Sequence, residues 1–555
     1  MPISHLDSAP FGVANPHRDW VARVARPSAA LKNIFSILPD CPPPSLRWMK
    51  IVFLCLFCFG AASLHAEDWP QYRGANQNGV STELIRTNWN EEPPRLVWSI
   101  PIDPALSSLA ISGRRVFTQV RRLLRNQATE FCIALDADTG AELWATPVDT
   151  AFYPNEGVGT DDGPRTTPSV DGQRVFVLTS YLRLFCLDAA TGQEIWSKNL
   201  VTEFGSNLIA WQNAASPLLV GDLVILNSNA ANQCLMGFRK LDGSLAWKGQ
   251  NDHLTHASPV TATIRGVQQV IFFAQSGLVS VVPETGAVLW RFPLNYNGVS
   301  VAASPVVSGD LVYCSRAYPS SLSSARAGAV LVSVTNVANA FSATQVWYRT
   351  NQLMNHWGTP VHYQGHLYGV YGQFSDLTFK CVELATGTVK WTGPWFGYGS
   401  VLVANGKILA LNEIGELVLV EPNPAAYSEV ARFRPFSAKS WNTPAISNGR
   451  IYVRGTTAAA CVDVAPVPPA SLKLTGSFPS ANSLLRLFVG NTDASPLDTT
   501  RAAKITVSAT TNLATGNGGW TKLTNAALLT NGLLRLDVPL AADVPQQFFR
   551  AEERP

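Results

Sequence analysis

The sequence predicts an all-β protein: an eight-bladed β-propeller of four-stranded blades, followed by a small C-terminal β-sandwich-like module. Three observations carry this. A turn-plus-tryptophan phrase recurs along the chain. A second phrase, opening on a Ser/Thr-Pro step, recurs upstream of each turn. One tryptophan strand near the start has no unit of its own, while the last unit lacks such a strand.

The first phrase is Leu135-Asp136-Ala137-Asp138-Thr139-Gly140-Ala141-Glu142-Leu143-Trp144, and it returns as Leu187-Asp188-Ala189-Ala190-Thr191-Gly192-Gln193-Glu194-Ile195-Trp196. Looser copies end at Trp247, Trp290, Trp347 and Trp391, and one without the turn signature ends at Phe433. Asp caps a tight turn and Gly supplies its positive φ. The Glu-Leu-Trp that follows alternates, as a strand with one buried face does. The second phrase is an apolar strand, a Gly turn and another apolar strand, as in Thr167-Pro168, Ser216-Pro217, Ser304-Pro305 and Thr443-Pro444 with the residues after each. Together the two phrases make a four-stranded unit.

The aromatic ends fall 42 to 57 residues apart (Trp144, Trp196, Trp247, Trp290, Trp347, Trp391, Phe433), near the roughly 40–50 residue period of propeller blades. An eighth unit opens at Trp441-Asn442-Thr443-Pro444 and ends at Cys461-Val462-Asp463 without a tryptophan strand. Arg95-Leu96-Val97-Trp98-Ser99-Ile100 supplies one. Pairing the two ends closes the ring over residues 95–464 and hides the sheet edges.

The flanks read differently. Lys50, the apolar run 51–62 and Ser63-Leu64-His65-Ala66 form a secretory signal over 49–66, cleaved after Ala66. Residues 1–48 look unlike a signal and read as an extension ahead of a true start at Met49. A leader spans 67–94. Pro-rich 465–470 is a semi-rigid linker, and short alternating runs in 471–555 make the C-terminal β module. The apolar run is too short to span a membrane, so the mature chain is expected to be exported, periplasmic or at the cell surface, and monomeric.

These phrases resemble the pyrroloquinoline-quinone (PQQ) type of propeller repeat, found in quinoprotein alcohol dehydrogenases and in the outer-membrane lipoprotein of the β-barrel assembly machinery. The leader, from Asp68-Trp69-Pro70-Gln71-Tyr72-Arg73-Gly74 to Val80, is similar to the opening of exported repeat proteins of verrucomicrobial and planctomycete-like bacteria. The resemblance implies the fold. It leaves activity open, because many members lack the cofactor.

Composition narrows function. Lys and Arg number 42 against 39 Asp and Glu, and charged residues are 15% of the 555, which disfavours disorder and nucleic-acid binding. The leading expectation is a non-catalytic binding or scaffold protein whose partner is a protein or a small planar or sugar ligand. The alternatives are a quinoprotein holding PQQ and calcium in its channel, and a carbohydrate-binding surface protein. Against the quinoprotein, the chain has no adjacent Cys-Cys pair and no Cys-x-x-Cys-His. Channel candidates lie at the Ser/Thr-Pro steps: Arg165, Trp211, Gln212, Asn213, His256, His356, Trp357, Trp441 and Asn442. Aromatic faces stack on planar ligands and amides orient them. In the loop 153–165, Glu156, Asp161 and Asp162 are candidate cation ligands, though without the spacing of a calcium loop. His362 and His366 flank a strand turn and share no helical face, so they make no zinc pair. Cys132, Cys186, Cys234, Cys381 and Cys461 recur at one blade position, too far apart for disulfides. With Cys314 they are expected to be buried free thiols.

Overall fold

The computed structural model describes residues 68–553 other than 154–161, 295–300, 318–326, 467–469, 478–483, 512–518 and 540–546. The signal, the extension before it, half of the linker, Glu156 and Asp161 lie outside the described residues. From residue 80 to 463 the chain forms eight antiparallel sheets of four strands, one of which gains a fifth, parallel strand from the leader. The innermost strands, sheets 1 to 8 in order, are Ala110–Ser112, Ser169–Asp171, Leu218–Val220, Val260–Ile264, Val306–Ser308, Val361–Tyr363, Ser400–Ala404 and Ala445–Ser447. From there the chain passes outward through three hairpins in each of sheets 1 to 7 and through two in sheet 8, whose outermost strand is Arg95–Pro101. The innermost strands of sheets 1 and 2, 2 and 3, 5 and 6, and 6 and 7 lie side by side, and that of sheet 1 also lies against that of sheet 8. This is a β-propeller.

The repeated phrases do specific structural work. In sheet 2, Asp188 Oδ1 accepts from the N–H groups of Ala190 and Thr191 and from the Thr191 hydroxyl, and Gly192 takes φ +73°. The indole of Trp144, on the outer strand of sheet 1, donates to Ala189 O in that same turn at 3.1 Å. A Cβ on Gly192 would stand 2.6 Å from the Trp144 ring. Glycine is therefore required twice, by backbone sign and by the tryptophan lying on it. Trp196, Trp247 and Trp347 dock on Gly243, Gly286 and Gly387 in the same way. Trp290 does not: the following sheet turns through Ala338-Asn339 without a Thr-Gly step, and the Trp290 indole instead donates to Gln269 Oε1 of its own sheet.

The tryptophan strand is not a simple alternating strand. Every sheet carries a register shift between its third and fourth strands close to the aromatic position. Such a bulge twists the strand and re-aims a side chain. It turns Trp196 inward, 9% exposed, and leaves Ile195 beside it 45% exposed.

Arg95–Pro101 pairs with Ala458–Asp463, placing Trp98 opposite Cys461. Trp98 lies on Gly140 of sheet 1 and donates to Ala137 O, as the other tryptophans do to the sheet after theirs. The expected meeting of N- and C-terminal strands in one sheet is what the chain does. All six described cysteines are buried and free.

A belt of hydroxyls ties the innermost strands together. Thr443 N–H donates to Ser108 Oγ, Ser108 N–H to Thr167 Oγ1, Thr167 N–H to Ser216 Oγ and Ser216 N–H to Ser258 Oγ; Ser304 N–H donates to Thr359 Oγ1. The Ser/Thr-Pro step is thus a sheet-to-sheet bond, with Pro starting the strand where no N–H is needed.

The leader crosses the ring on the far side of this belt. Three residues past the belt hydroxyl, an inner-strand N–H points at the axis. Those of Ile111, Val170 and Val403 donate to Trp69, Pro70 and Gly79 carbonyls, and those of Leu219 and Thr261 to the side-chain oxygens of Gln71 and Gln77. Val80–Ser81 adds to sheet 7 in parallel, and Arg86 N–H reaches Val464 O. Arg73, 2% exposed, is the pin: its guanidinium donates to the carbonyls of Thr359, Pro360, Asn78 and Gln77. Burial lowers its pKa to about 10.

After residue 470, Leu472–Ser477, Leu484–Asn491, Leu533–Pro539 and Ala527–Thr530 form one sheet, and Thr521–Lys522, Ile505–Thr510 and Phe548–Glu553 a second. Leu485, Leu487, Leu536 and Val538 of the first share a core with Val507, Phe549 and Ala551 of the second. A helix capped by Asp498, Thr499–Lys504, precedes the second sheet.

Candidate functional site

The loop side of the ring is built by residues just before each belt hydroxyl. Two positions before it stand Leu106, Arg165, Ala214, His256, Ala302, Trp357, Tyr398 and Trp441. The backbone there is set by the belt, so this position is repeated while its chemistry is not. On sheets 6, 7 and 8 it is aromatic three times running.

Those three rings form a shelf. The Trp357 ring centroid lies 4.3 Å from Tyr398 and 4.2 Å from Trp441, and Tyr398 lies 5.0 Å from Trp441. His356, buried behind them, is 4.4 Å from Trp357 and 5.0 Å from Tyr398. Burial drops its pKa to about 4, so it is neutral at pH 7. Glu413 braces the shelf: its Oε1 accepts from the Trp441 indole at 2.8 Å and its Oε2 from Tyr398 N–H. Lys439 Nζ lies 4.7 Å from the centre of the Trp441 ring. Phe374 and Ile414, both exposed, extend the apolar surface. An apolar area with one carboxylate and one ammonium at its rim suits a flat or amphipathic contact.

The sheets opposite in sequence order carry polar groups. Arg165 pairs with fully buried Asp162 at 3.0 Å, and Asp162 also accepts from Gly163 N–H. The Arg165 guanidinium lies 5.6 Å from the centre of the Tyr153 ring. Tyr153 donates its hydroxyl to Glu130 Oε1 at 2.6 Å, and Ser180 N–H donates to Oε2. Burial raises the Glu130 pKa to about 7. His256 is held at about 4 by burial and by the charge of Arg165. As a neutral ring it donates from Nε2 to Gln212 O at 2.8 Å. That bond holds Trp211 and Gln212, both at positive φ, and leaves Trp211 38% exposed.

Of the sequence candidates, His356, Trp357 and Trp441 come together, and Arg165 and His256 lie within electrostatic reach. Asn213 and Asn442 serve the main chain: Asn213 bonds Ala215 N–H and the carbonyls of Thr179 and Ala215, and Asn442 bonds Ser107 O. Tyr398 and Glu413 escaped sequence reasoning, because Ser400 is followed by Val401 and not by proline. Asp162 is committed to Arg165. His362 and His366 sit on the two strands of one hairpin, as expected.

A family model described as "Outer membrane protein assembly factor BamB" matches residues 129–393. Over those residues the chain is similar to PQQ-type propeller repeat proteins. A curated relative, Outer membrane protein assembly factor BamB of Moranella endobia (strain PCIT), is 27% identical over 197 residues, 32% of this chain and 46% of that protein, so the match spans about half of the relative. Among solved structures, BamB from Moraxella catarrhalis is similar at 14% identity and TM-score 0.47, covering 67% of this chain and 99% of that one. The quinohemoprotein alcohol dehydrogenase from Comamonas testosteroni is similar at 12% identity and TM-score 0.49, covering 75% and 82%.

PQQ-type repeat proteins include enzymes that hold the quinone and calcium. Calcium takes six to eight oxygens. Among the described residues no group of three His, Cys, Asp or Glu side chains could hold a metal ion. Asp162 is held by Arg165, Glu413 by Trp441 and Tyr398, and Glu130 by Tyr153 and Ser180. The shelf rings lie against one another. These residues do not fit a calcium-bound quinone.

Proposed function

We propose that this propeller protein is an exported, non-catalytic scaffold that binds a partner protein on its loop side. The observation that carries the reading is the shelf of Trp357, Tyr398 and Trp441, with exposed Phe374 and Ile414 beside it. Aromatic residues at the centre of an interface dominate binding energy. The opposite mouth is crossed by the protein's own leader, which leaves the loop side as the accessible end. The similarity to BamB, named an assembly factor, supports a role exercised through other proteins.

A direct test separates this from quinoprotein catalysis. Purified chain is titrated with PQQ and calcium while tryptophan fluorescence and alcohol oxidation are followed. The proposal expects no saturable quenching and no turnover. Quenching with turnover, lost in Trp357→Ala plus Trp441→Ala, would overturn it.

A further inference from the structure

The leader does not seal its mouth evenly. It caps the axis-facing N–H groups of sheets 1, 2, 3, 4 and 7. The equivalent residue of sheet 8 is Ile446, and those of sheets 5 and 6 are Val307 and His362. Each occupies the same register beside its hairpin, Val307 opposite Val312 and His362 opposite Leu367, as Ile111 lies opposite Val116. Their N–H groups make no hydrogen bond to another described residue. Both line a cavity of about 390 Å³ bounded by the leader and by sheets 4, 5 and 6.

The rest of the lining tells what would fill it. Buried Arg73 borders the cavity, and its charge is met only by carbonyl dipoles, with no carboxylate in reach among the described residues. Asn78 gives its side-chain oxygen to Val80 N–H, which leaves its amide hydrogens. Thr263 and Gln268 sit on the rim, exposed and without described hydrogen-bond partners. Among the described residues no Asp or Glu lines the cavity. Donors are therefore in excess and the one formal charge is positive. Val307 and His362 are half-buried and Asn78, Thr263 and Gln268 exposed, so each donor is open to an acceptor that enters the cavity. The volume lies in the range of small-molecule sites, about 300–1,000 Å³, and exceeds what one inorganic anion fills.

We propose that this cavity binds a small hydroxylated carboxylate of the sugar-acid class. Its carboxylate faces Arg73 and the N–H groups of Val307 and His362, and its hydroxyls meet Asn78, Thr263 and Gln268. The site lies across the belt from the aromatic shelf, so it stands or falls independently of the partner-binding reading.

The test uses calorimetry and thermal melting of the full mature chain with D-glucuronate, D-glucose and sulfate. Saturable glucuronate binding with a raised Tm is expected, with neither effect from glucose. Gln268→Glu puts a carboxylate on the rim and is expected to abolish binding while the unliganded Tm stays within a few degrees; Thr263→Ala is expected to weaken it severalfold. Arg73→Gln tests the charge but also loosens the leader, so the rim variants decide. No glucuronate binding by folded wild type, an equal response to sulfate, or undiminished binding by Gln268→Glu would each overturn the proposal.

Discussion

The two mouths of the ring are built on the same eight inner strands and finished in different ways. On the leader side, main-chain N–H groups at one register position of five sheets meet one continuous segment. On the loop side, one register position carries side chains of six kinds, from Leu106 to Trp441. The first mouth uses what every strand has in common, its backbone, and so is a matter of stability. The second uses what the repeat leaves free, and so is where recognition can be specific. A backbone contact is insensitive to side-chain identity; an aromatic shelf is nothing else.

The largest break in this comparison comes from the leader. Arg73→Ala removes a buried guanidinium that serves four carbonyls in the leader and at the head of sheet 6. Leaving them unpaired is expected to cost roughly 3 kcal/mol or more, read as a fall in denaturation midpoint. An equal cost from Trp357→Ala would erase the distinction between the mouths.

The next effect tests the sheet-to-sheet dock. Gly192→Ala forces a Cβ into the Trp144 ring at positive φ, whereas Gly172 shares the sign of φ but has open space around it. About 3 kcal/mol is expected at Gly192 and about 1 kcal/mol at Gly172, by chemical denaturation. Equal losses would mean that backbone sign alone explains the repeated glycine.

The smallest effect is pH dependence. The folded pKa of His256 lies near 4, below the unfolded value of about 6.5, so the unfolded chain binds the extra proton first. Its contribution is complete above about pH 6.5 and is lost as pH falls towards 4. Glu130 is raised to about 7, so its contribution is full below about pH 4.5 and is lost as pH rises through 7. His256→Gln should flatten the acid side of a stability profile and Glu130→Gln the neutral side. A profile unchanged by both would contradict these assignments.

Much of the ring could be read in the residues. The Asp-x-x-Thr-Gly turn and its tryptophan predicted the docks, the Ser/Thr-Pro steps predicted the inner strands, and Arg95–Pro101 predicted the closure. What escaped was non-repetitive. The leader meets the inner strands it touches through one or two residues each, so it has no period to detect, and Arg73 looks in sequence like any surface arginine. Ser400 occupies a belt position without a proline, which concealed Tyr398. Asn213 and Asn442 stood at the right places but point their amides at main chain, a choice that depends on carbonyls far along the sequence, such as Ser107 for Asn442.

The central claim is that the loop side, and not the leader side, meets a partner. A photo-reactive phenylalanine analogue placed at Phe374 on one side or at Asn76 on the other, in cells making the full chain, tests it most directly. A discrete cross-linked protein is predicted from Phe374, lost when Trp357 and Trp441 are both replaced by alanine, and absent from Asn76. Cross-linking from Asn76 alone, or equally from both, would contradict the account.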